Sequence, residues 1–438
     1  MILKKIKRVK KIKRVYVPIS ADKINIGHIN ILRTAKKYGT VIVGLLTDKA
    51  ISSYKTIPPL DYNYRYEILS SIKYIDQIIE QDNLDYKKII NKLRPDFFVH
   101  GDDWKNGVQK KKRDEVIRAL KKIKSKLIEP KYTKIENTRD DLIKENFKSE
   151  NRVSILKRLI RSQDIVRILE THNPLAGLIV ENTTLSVKNK KKNEFDGMWS
   201  SSLADSVSRA KPDNQSVDYS TRVLGINQIL SSTSKPMIFD IDNGGQIEHI
   251  NFVIKDLERA GVSAIIMEDK TGLKRNSLFK NQKGVKQDTI SNFCKKIIEA
   301  KKSAKNKDFL VIARIESLIL DQGIKNAIIR AKAYCKAGVD GIMIHSKNDN
   351  PKEIFEFSKK FKKLNFTQFL VSVPSTYSKT YEKDLIKNGF KIVIYANQML
   401  RSSYVSMKKT AEDILKNSRA YELEKRISPI KEILNLIK

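Results

Sequence analysis

The chain has 438 residues, 40% hydrophobic and 31% charged, which fits a globular protein of two or three domains with a substantial core. No apolar run reaches membrane-spanning length, Met1-Ile2-Leu3-Lys4-Lys5-Ile6-Lys7-Arg8 is too broken by charge for a signal-peptide core, and Cys294 and Cys335 lack metal spacing, so the chain reads as cytoplasmic, reduced and free of membrane. The 86 Lys and Arg against 50 Asp and Glu give a formal charge of +36, yet the excess is spread through runs such as Lys188 to Lys192, Lys301 to Lys307 and Lys359 to Lys363, without a helix-turn-helix, zinc-finger or single-strand-binding signature, which favours a solvated surface over a nucleic-acid groove.

From Arg14 to Glu136 strand and helix alternate. Val15 to Ile19, Val41 to Leu46 and Pro95 to His100 read as strands and Gly27 to Tyr38 as a helix, which predicts a small Rossmann-like, doubly wound α/β domain over residues 1–140. Charge-dense residues 111–152 predict surface helices and then a linker at 141–153. From Ser154 onward, apolar runs recur at Ile165 to Glu170, Phe195 to Ser200, Pro236 to Asp242, Ala264 to Glu268, Phe309 to Ile315, Gly341 to His345, Phe369 to Pro374 and Lys391 to Ala396, each followed by a stretch of helical length. Such a succession over residues 154–438 predicts a (β/α)8 barrel of the TIM type.

Polar residues gather where these runs end: Thr171-His172-Asn173, Ser200-Ser201-Ser202, Asp240, Asp242, Glu268-Asp269-Lys270, Arg314, Glu316, His345-Ser346-Lys347, Ser375-Thr376 and Asn397. That is the active-site face of a barrel. Asp240 and Asp242, two apart on a strand, are expected to share a face, and with Glu268 they form an oxygen-rich, thiol-free set suited to Mg²⁺.

Residues 152–438 resemble the phosphoenolpyruvate mutase branch of the isocitrate lyase superfamily. The resemblance is carried by Glu170-Thr171-His172-Asn173, Gly197-Met198-Trp199-Ser200-Ser201-Ser202-Leu203, Phe239-Asp240-Ile241-Asp242, Glu268-Asp269-Lys270-Thr271-Gly272-Leu273-Lys274-Arg275-Asn276-Ser277, Ile312-Ala313-Arg314-Ile315-Glu316, His345-Ser346-Lys347 and Tyr395-Ala396-Asn397. The loop after Glu268 carries no cysteine, unlike the carbon–carbon lyases of the superfamily, and instead resembles the mutase gating loop. The resemblance implies Mg²⁺-dependent interconversion of phosphoenolpyruvate and phosphonopyruvate at the entry to phosphonate biosynthesis. Asp240, with Asp242 and Glu268 through water, would hold the metal, and Trp199, Ser201, Ser202, Leu203 and Ser277 would bind substrate. Asp213, Lys274, Asn276, Arg314 and His345 would surround the migrating phosphoryl group. Such barrels commonly exchange a last helix between subunits, which implies a homodimer or homotetramer, with Ala420 to Leu436 amphipathic enough to serve.

The segment from Arg14 to Glu136 resembles the cytidylyltransferase-like nucleotidyltransferases. Asn25-Ile26-Gly27-His28 stands where that family has His-x-Gly-His, Thr47-Asp48 follows the second strand, Arg65 lies in the helix beyond, and Gly101-Asp102-Asp103-Trp104 closes a later strand. Asn25, Gly27, His28, Arg65, Asp102 and Trp104 would then meet a nucleotide, with CTP as the implied substrate. The first family histidine is Asn25 here, and the second family signature is represented only by Lys131-Tyr132-Thr133-Lys134-Ile135-Glu136-Asn137-Thr138. Two outcomes stay open, transfer of CMP to a phosphonate or related head group, or a degenerate domain that retains only nucleotide binding or a structural role. For the barrel, phosphonopyruvate hydrolysis, carbon–carbon lyase activity and nucleic-acid binding are the competing functions.

Overall fold

The computed structural model describes residues 12–105, 110–131, 133, 149–185, 193–272, 274–277, 282 and 284–437. The lysine run 188–192, the linker residues 141–148 and most of the segment Lys131 to Thr138 lie outside these residues. Contacts divide the chain into two units, the first built on residues 1–142 and the second on residues 143–160, 164–185 and 194–438.

In the first unit, strands β1 (Arg14–Ile19), β2 (Thr40–Leu46), β3 (Gln77–Gln81), β4 (Phe97–Val99) and β5 (Lys126–Ile128) form a parallel sheet in the order β3-β2-β1-β4-β5. Helices on both faces bury the central strands, so Val15, Tyr16, Val17, Val41 and Val43 are fully enclosed and β1 and β2 read as continuous apolar runs. The strand order reverses between β1 and β4, and a crevice at their carboxyl ends is where open sheets of this kind take ligands.

The second unit is a closed parallel barrel. Its staves, in sequence order, are β6 (Val166–Glu170), β9 (Gly197–Ser200), β10 (Met237–Asp240), β11 (Ala264–Glu268), β14 (Leu310–Ile315), β15 (Gly341–Ile344), β16 (Phe369–Ser372) and β17 (Phe390–Tyr395), with β17 closing back on β6. The intervening β7 (Thr184–Leu185), β8 (Asn193–Glu194), β12 (Lys270–Thr271) and β13 (Lys286–Gln287) lie outside the barrel. Every residue of β14 is buried, as expected for a strand with barrel lumen on one side and helices on the other. Gly341 opens β15 because a Cβ there would sit 2.4 Å from the Phe369 ring. Residues 149–153, expected in a linker, already belong to the helix Ser149–Ser162, where Val153 and Leu156 are buried and Arg152 donates to Leu230 O at 2.9 Å.

The expectation that strand alternation aligns Asp240 with Asp242 needs correction. Strand β10 ends at Asp240, and Asp242 stands in the following turn with φ +53°, a left-handed conformation that aspartate tolerates through local hydrogen bonding. Its amide donates to Asp240 Oδ1 at 3.0 Å and its carbonyl accepts from Glu268 N at 2.8 Å. The turn, not the pleat, brings the second carboxylate to the barrel mouth.

Candidate active site

At the carboxyl face of the barrel a cavity of about 60 Å³ is lined by Trp199, Ser201, Ser202, Leu203, Asp213, Asp240, Lys274, Asn276, Ser277, Arg314 and His345, with Met343, Val373, Ser375, Ala396 and Asn397 completing its wall. This is room for several water-sized groups, the scale of a small acid rather than a nucleotide. Of the residues singled out for the barrel, Asp242 and Glu268 lie outside this lining, both buried and both bonded to groups that do line it.

Three segments converge on the acidic side. Asp240 Oδ2 accepts from Ser202 Oγ at 2.9 Å, at the start of the helix Ser202–Ser208. Lys274 reaches in from the loop beyond β12, where its ammonium donates to Asp242 Oδ1 and Ser202 Oγ and lies 3.1 Å from Asp213 Oδ1 and 3.9 Å from Asp240 Oδ2. Asn276 Nδ2 donates to Asp213 Oδ2 at 2.6 Å, so both oxygens of that carboxylate face loop donors. Burial opposes ionisation of Asp240, but Lys274, Arg314 and Arg222 overcome it and hold its pKa at about 2. The Lys274 ammonium is likewise desolvated, yet the adjoining Asp242, Asp240 and Asp213 raise its pKa above the ordinary lysine value.

On the opposite side stands a chain of ionised and polar groups. Arg314 Nη2 donates to Ser277 Oγ at 2.7 Å and approaches His345 Nδ1 at 3.0 Å, while its Nε donates to Glu316 Oε1. His345 Nδ1 also lies 3.3 Å from Glu316 Oε1, so this nitrogen stands between a donor and an acceptor. Burial, followed by the field of Arg314, lowers the His345 pKa and keeps the ring neutral. Glu316 is held well below the usual carboxylate range by Arg314 and Lys270 against the cost of burial. Glu268, which shares those cations, is pushed up to about 7, mainly by burial. Its Oε2 has no hydrogen-bond partner and lies 3.4 Å from Arg314 and 3.5 Å from Lys270.

Sequence reading passed over a further cation. Arg222, in the helix Tyr219–Ser231, is 4% exposed, donates through Nε to Asp205 Oδ2 at 2.9 Å and through Nη1 to Asp240 O at 2.6 Å, and lies 3.8 Å from Asp242 Oδ2. No local motif marks it, because its partners lie 17 to 20 residues away and meet only in the closed barrel. His172 bonds Glu170 Oε1 through Nδ1 at 2.7 Å, a structural pairing.

In the first unit, Asn25 caps the helix Ile26–Lys36 by accepting from His28 N at 3.2 Å, and Gly27 leaves space that a Cβ would narrow to 3.1 Å from Asn25 Oδ1. His28 Nδ1 is buried without a hydrogen-bond partner, and burial lowers the ring pKa. Asp102 opens the short 3₁₀ turn Asp102–Lys105. Arg65 and Trp104, by contrast, are each 1% exposed. The Arg65 guanidinium donates to Ser20 O at 2.6 Å, Leu46 O at 2.8 Å and Asp48 Oδ1 at 2.8 Å, which braces the ends of β1 and β2. Trp104 stacks on His100 at 3.8 Å and donates to Glu129 Oε1 at 2.8 Å. Both side chains are enclosed and engaged within the fold.

Comparison with known proteins gives two family matches, phosphoenolpyruvate phosphomutase over residues 156–415 and cytidylyltransferase-like over residues 20–139. Over 296 residues the chain is 32% identical to the phosphoenolpyruvate phosphomutase of Tetrahymena pyriformis, covering 67% of this chain and 94% of that protein. Over 286 residues it is 34% identical to the phosphonopyruvate hydrolase of Variovorax sp. (strain Pal2), covering 64% and 93%. A crystal structure of phosphonopyruvate hydrolase in complex with oxalate and Mg²⁺ matches with a TM-score of 0.58 at 31% identity, covering 65% of this chain and 94% of that one.

Proposed function

The chain belongs to the phosphoenolpyruvate phosphomutase family, carries a cytidylyltransferase-like domain at residues 20–139, and, we propose, interconverts phosphoenolpyruvate and phosphonopyruvate in its barrel. The reaction breaks the P–O bond to the enol oxygen, forms a P–C bond to C3 and consumes no water, whereas hydrolysis of phosphonopyruvate spends one water and releases phosphate.

The observation that carries mutase over hydrolase is the double engagement of Asp213. A hydrolase needs a base free to take a proton from the attacking water. Here Asn276 Nδ2 donates to one oxygen at 2.6 Å, and the other, which accepts no hydrogen bond, is ion-paired with the Lys274 ammonium at 3.1 Å, so both loop side chains hold the carboxylate. Water would be excluded and the migrating group held by position and charge. Arg314 offers a planar fork to phosphoryl or carboxylate oxygens, and His345, its pKa lowered mainly by burial, stands 3.0 Å from that fork. Ser201, with the amides of Ser202 and Leu203, would hold the pyruvyl carboxylate, and Trp199 would pack against its plane.

The oxygen donors Asp240, Asp242 and Glu268 fit Mg²⁺, and the buried Glu268 Oε2 without a hydrogen-bond partner suits a metal-bound water. Among the described residues no group of three His, Cys, Asp or Glu side chains is arranged to hold a metal ion. When bound, the dication would neutralise phosphoryl and enolate oxygens.

In the first unit His28, at a helix N-terminus, supports nucleotide binding with CTP as substrate. Among the described residues no helix is long and apolar enough to cross a membrane, and we read the enzyme as cytoplasmic. The helix Gln398–Asn417, with no buried side chain, and exposed Ile430, Leu434 and Ile437 support a homodimer or homotetramer. The test is a phosphorus NMR spectrum of the protein with phosphonopyruvate and Mg²⁺, then separately with CTP and 2-aminoethylphosphonate. Phosphoenolpyruvate is the expected product of the first; inorganic phosphate alone would overturn the mutase in favour of the hydrolase. A CMP-phosphonate adduct is expected of the second, and an unchanged spectrum would leave the first unit as a binding domain.

A further inference from the structure

We infer that Lys270 is a positioning residue that latches the covering loop to the barrel floor. The inference deepens the mutase reading by naming what keeps water out, and its structural part stands without that reading.

Lys270 lies on β12, immediately outside the barrel, where it pairs with Gln287 of β13 in a short antiparallel stem. The residue is 3% exposed and does not line the cavity. From the stem its ammonium reaches the covering segment, donating to Arg275 O at 3.0 Å and Ser277 Oγ at 2.9 Å. The same ammonium lies 3.3 Å from Glu316 Oε2 and 3.5 Å from Glu268 Oε2, carboxylates rooted at the ends of β14 and β11. One cation therefore binds the floor with its charge and the loop with its protons. Ser277 completes the junction: its hydroxyl accepts from Lys270 and from Arg314 Nη2 and donates to Glu316 Oε2 at 2.6 Å, which uses every hydrogen-bonding capacity it has.

Between these anchors lie Lys274 and Asn276, the two side chains that engage the acidic cluster and Asp213. Without the latch, Arg275 O and Ser277 Oγ each lose the Lys270 hydrogen bond and the Glu268–Glu316 pair loses a buried counter-charge, so the open loop gains population. Asp269, next in sequence, strengthens the footing by accepting from Glu316 N at 2.9 Å, Tyr334 Oη at 2.7 Å and Gln287 Nε2 at 2.9 Å, which fixes both strands of the stem against the floor.

The test is tryptic nicking after Lys274 or Arg275 in the folded protein, together with the product ratio from phosphonopyruvate and Mg²⁺. Lys270→Met is expected to nick about tenfold to a hundredfold faster than the parent, the change in opening that loss of hydrogen bonds to a buried charge brings. Its kcat is expected to fall more than its KM rises, with a larger share of inorganic phosphate among the products. Should Lys270→Met fail to fold, Ser277→Ala removes the loop-side partner alone and is expected to nick faster as well. The double variant is expected to nick no faster than the more affected single variant, since both remove one junction. Unchanged nicking in a folded Lys270→Met or Ser277→Ala variant, or multiplying effects in the double variant, overturns the latch. Failure of the parent to make phosphoenolpyruvate, with nicking as expected, overturns the mutase reading and leaves the latch standing.

Discussion

Lys274 occupies the ground that a divalent cation would claim, and its removal separates metal affinity from turnover. The ammonium bonds Asp242 and lies 3.1 Å from Asp213 and 3.9 Å from Asp240. Two unit charges about 4 Å apart interact by about 1 kcal/mol in water and about 4 kcal/mol at the effective dielectric of a protein surface, and a dication doubles those values. Taking the aqueous limit as a floor, Lys274 opposes Mg²⁺ by about 2 kcal/mol, which is roughly thirtyfold in Kd. Arg314 and Arg222 remain beside Asp240 in the variant and continue to favour its ionised form against burial. Lys274→Met is therefore expected to bind Mg²⁺ more tightly while its turnover drops, because the phosphoryl group loses a positioned cation. Isothermal titration with Mg²⁺, parent and variant at one pH and ionic strength, reads the first effect without any reaction. Equal or weaker Mg²⁺ binding by the variant would falsify the placement of the metal among Asp240, Asp242 and Glu268.

Asn276→Ala frees Asp213 Oδ2, and loss of a hydrogen bond to a charged group, about 1.5–3 kcal/mol, is expected to shift product from phosphoenolpyruvate toward phosphate by tenfold or more; an unchanged ratio in the phosphorus spectrum removes Asn276 from the partition. Arg222→Met removes the nearest cation of Asp205, leaving it Ser200 Oγ at 3.2 Å and Arg209 at 3.9 Å, and is expected to cost about 3 kcal/mol of barrel stability, with Asp205→Asn restoring part of it. Denaturant melts followed through Trp199 in a Trp104→Phe background isolate the barrel, and a loss under about 1 kcal/mol contradicts the pairing. In the first unit Arg113, followed in order by burial and the Trp104 indole, sets a net depressed pKa on Glu129. A carboxyl whose folded pKa is depressed stabilises above its unfolded value near 4.3 and loses that contribution as pH falls, so Glu129→Gln is expected to flatten the loss of first-unit stability between about pH 6 and about pH 3; parallel curves from Trp104 fluorescence count against the pairing.

The barrel was legible because its staves are short runs buried on both faces, and because polar residues can follow such runs only where the chain leaves the core. Residues 312–316 show the rule: Ile312 and Ala313 are fully buried, and Arg314 and Glu316 appear as the strand reaches the mouth. β3 escaped notice since Gln77, Glu80 and Gln81 interrupt its apolar pattern, and β5 because three residues carry no period. The site divides along a similar line. Residue type and strand-end position pointed to Asp240, Glu268 and Arg314, whereas hydrogen-bond partnership did not follow from position. Arg65 and Trp104 are enclosed in the fold, Arg222 went unmarked in the sequence and sits behind the acidic cluster, and Lys270 read as part of a motif that does not announce its reach to Arg275 and Ser277.

The charge of the mouth itself argues for a dication as part of the working site. Asp205, Asp213, Asp240, Asp242, Glu268 and Glu316 face Arg209, Arg222, Lys270, Lys274 and Arg314 in one connected set of contacts, leaving one negative charge when all are ionised. Burying so many charges is costly, and burial pushes Glu268 up to about 7. A dication among these carboxylates would offset the negative excess and favour the ionised form of Glu268. A phosphorylated three-carbon acid, itself a polyanion, would then meet a pocket that is no longer net negative, while the +36 of the whole chain draws it in from solvent. Without the dication the same substrate would enter a net negative mouth, so anion binding and metal binding are expected to be mutually dependent. Titration with oxalate reads this directly: affinity should rise steeply when Mg²⁺ is added, and equal affinity with and without the metal would mean that the acidic cluster plays no part in holding substrate.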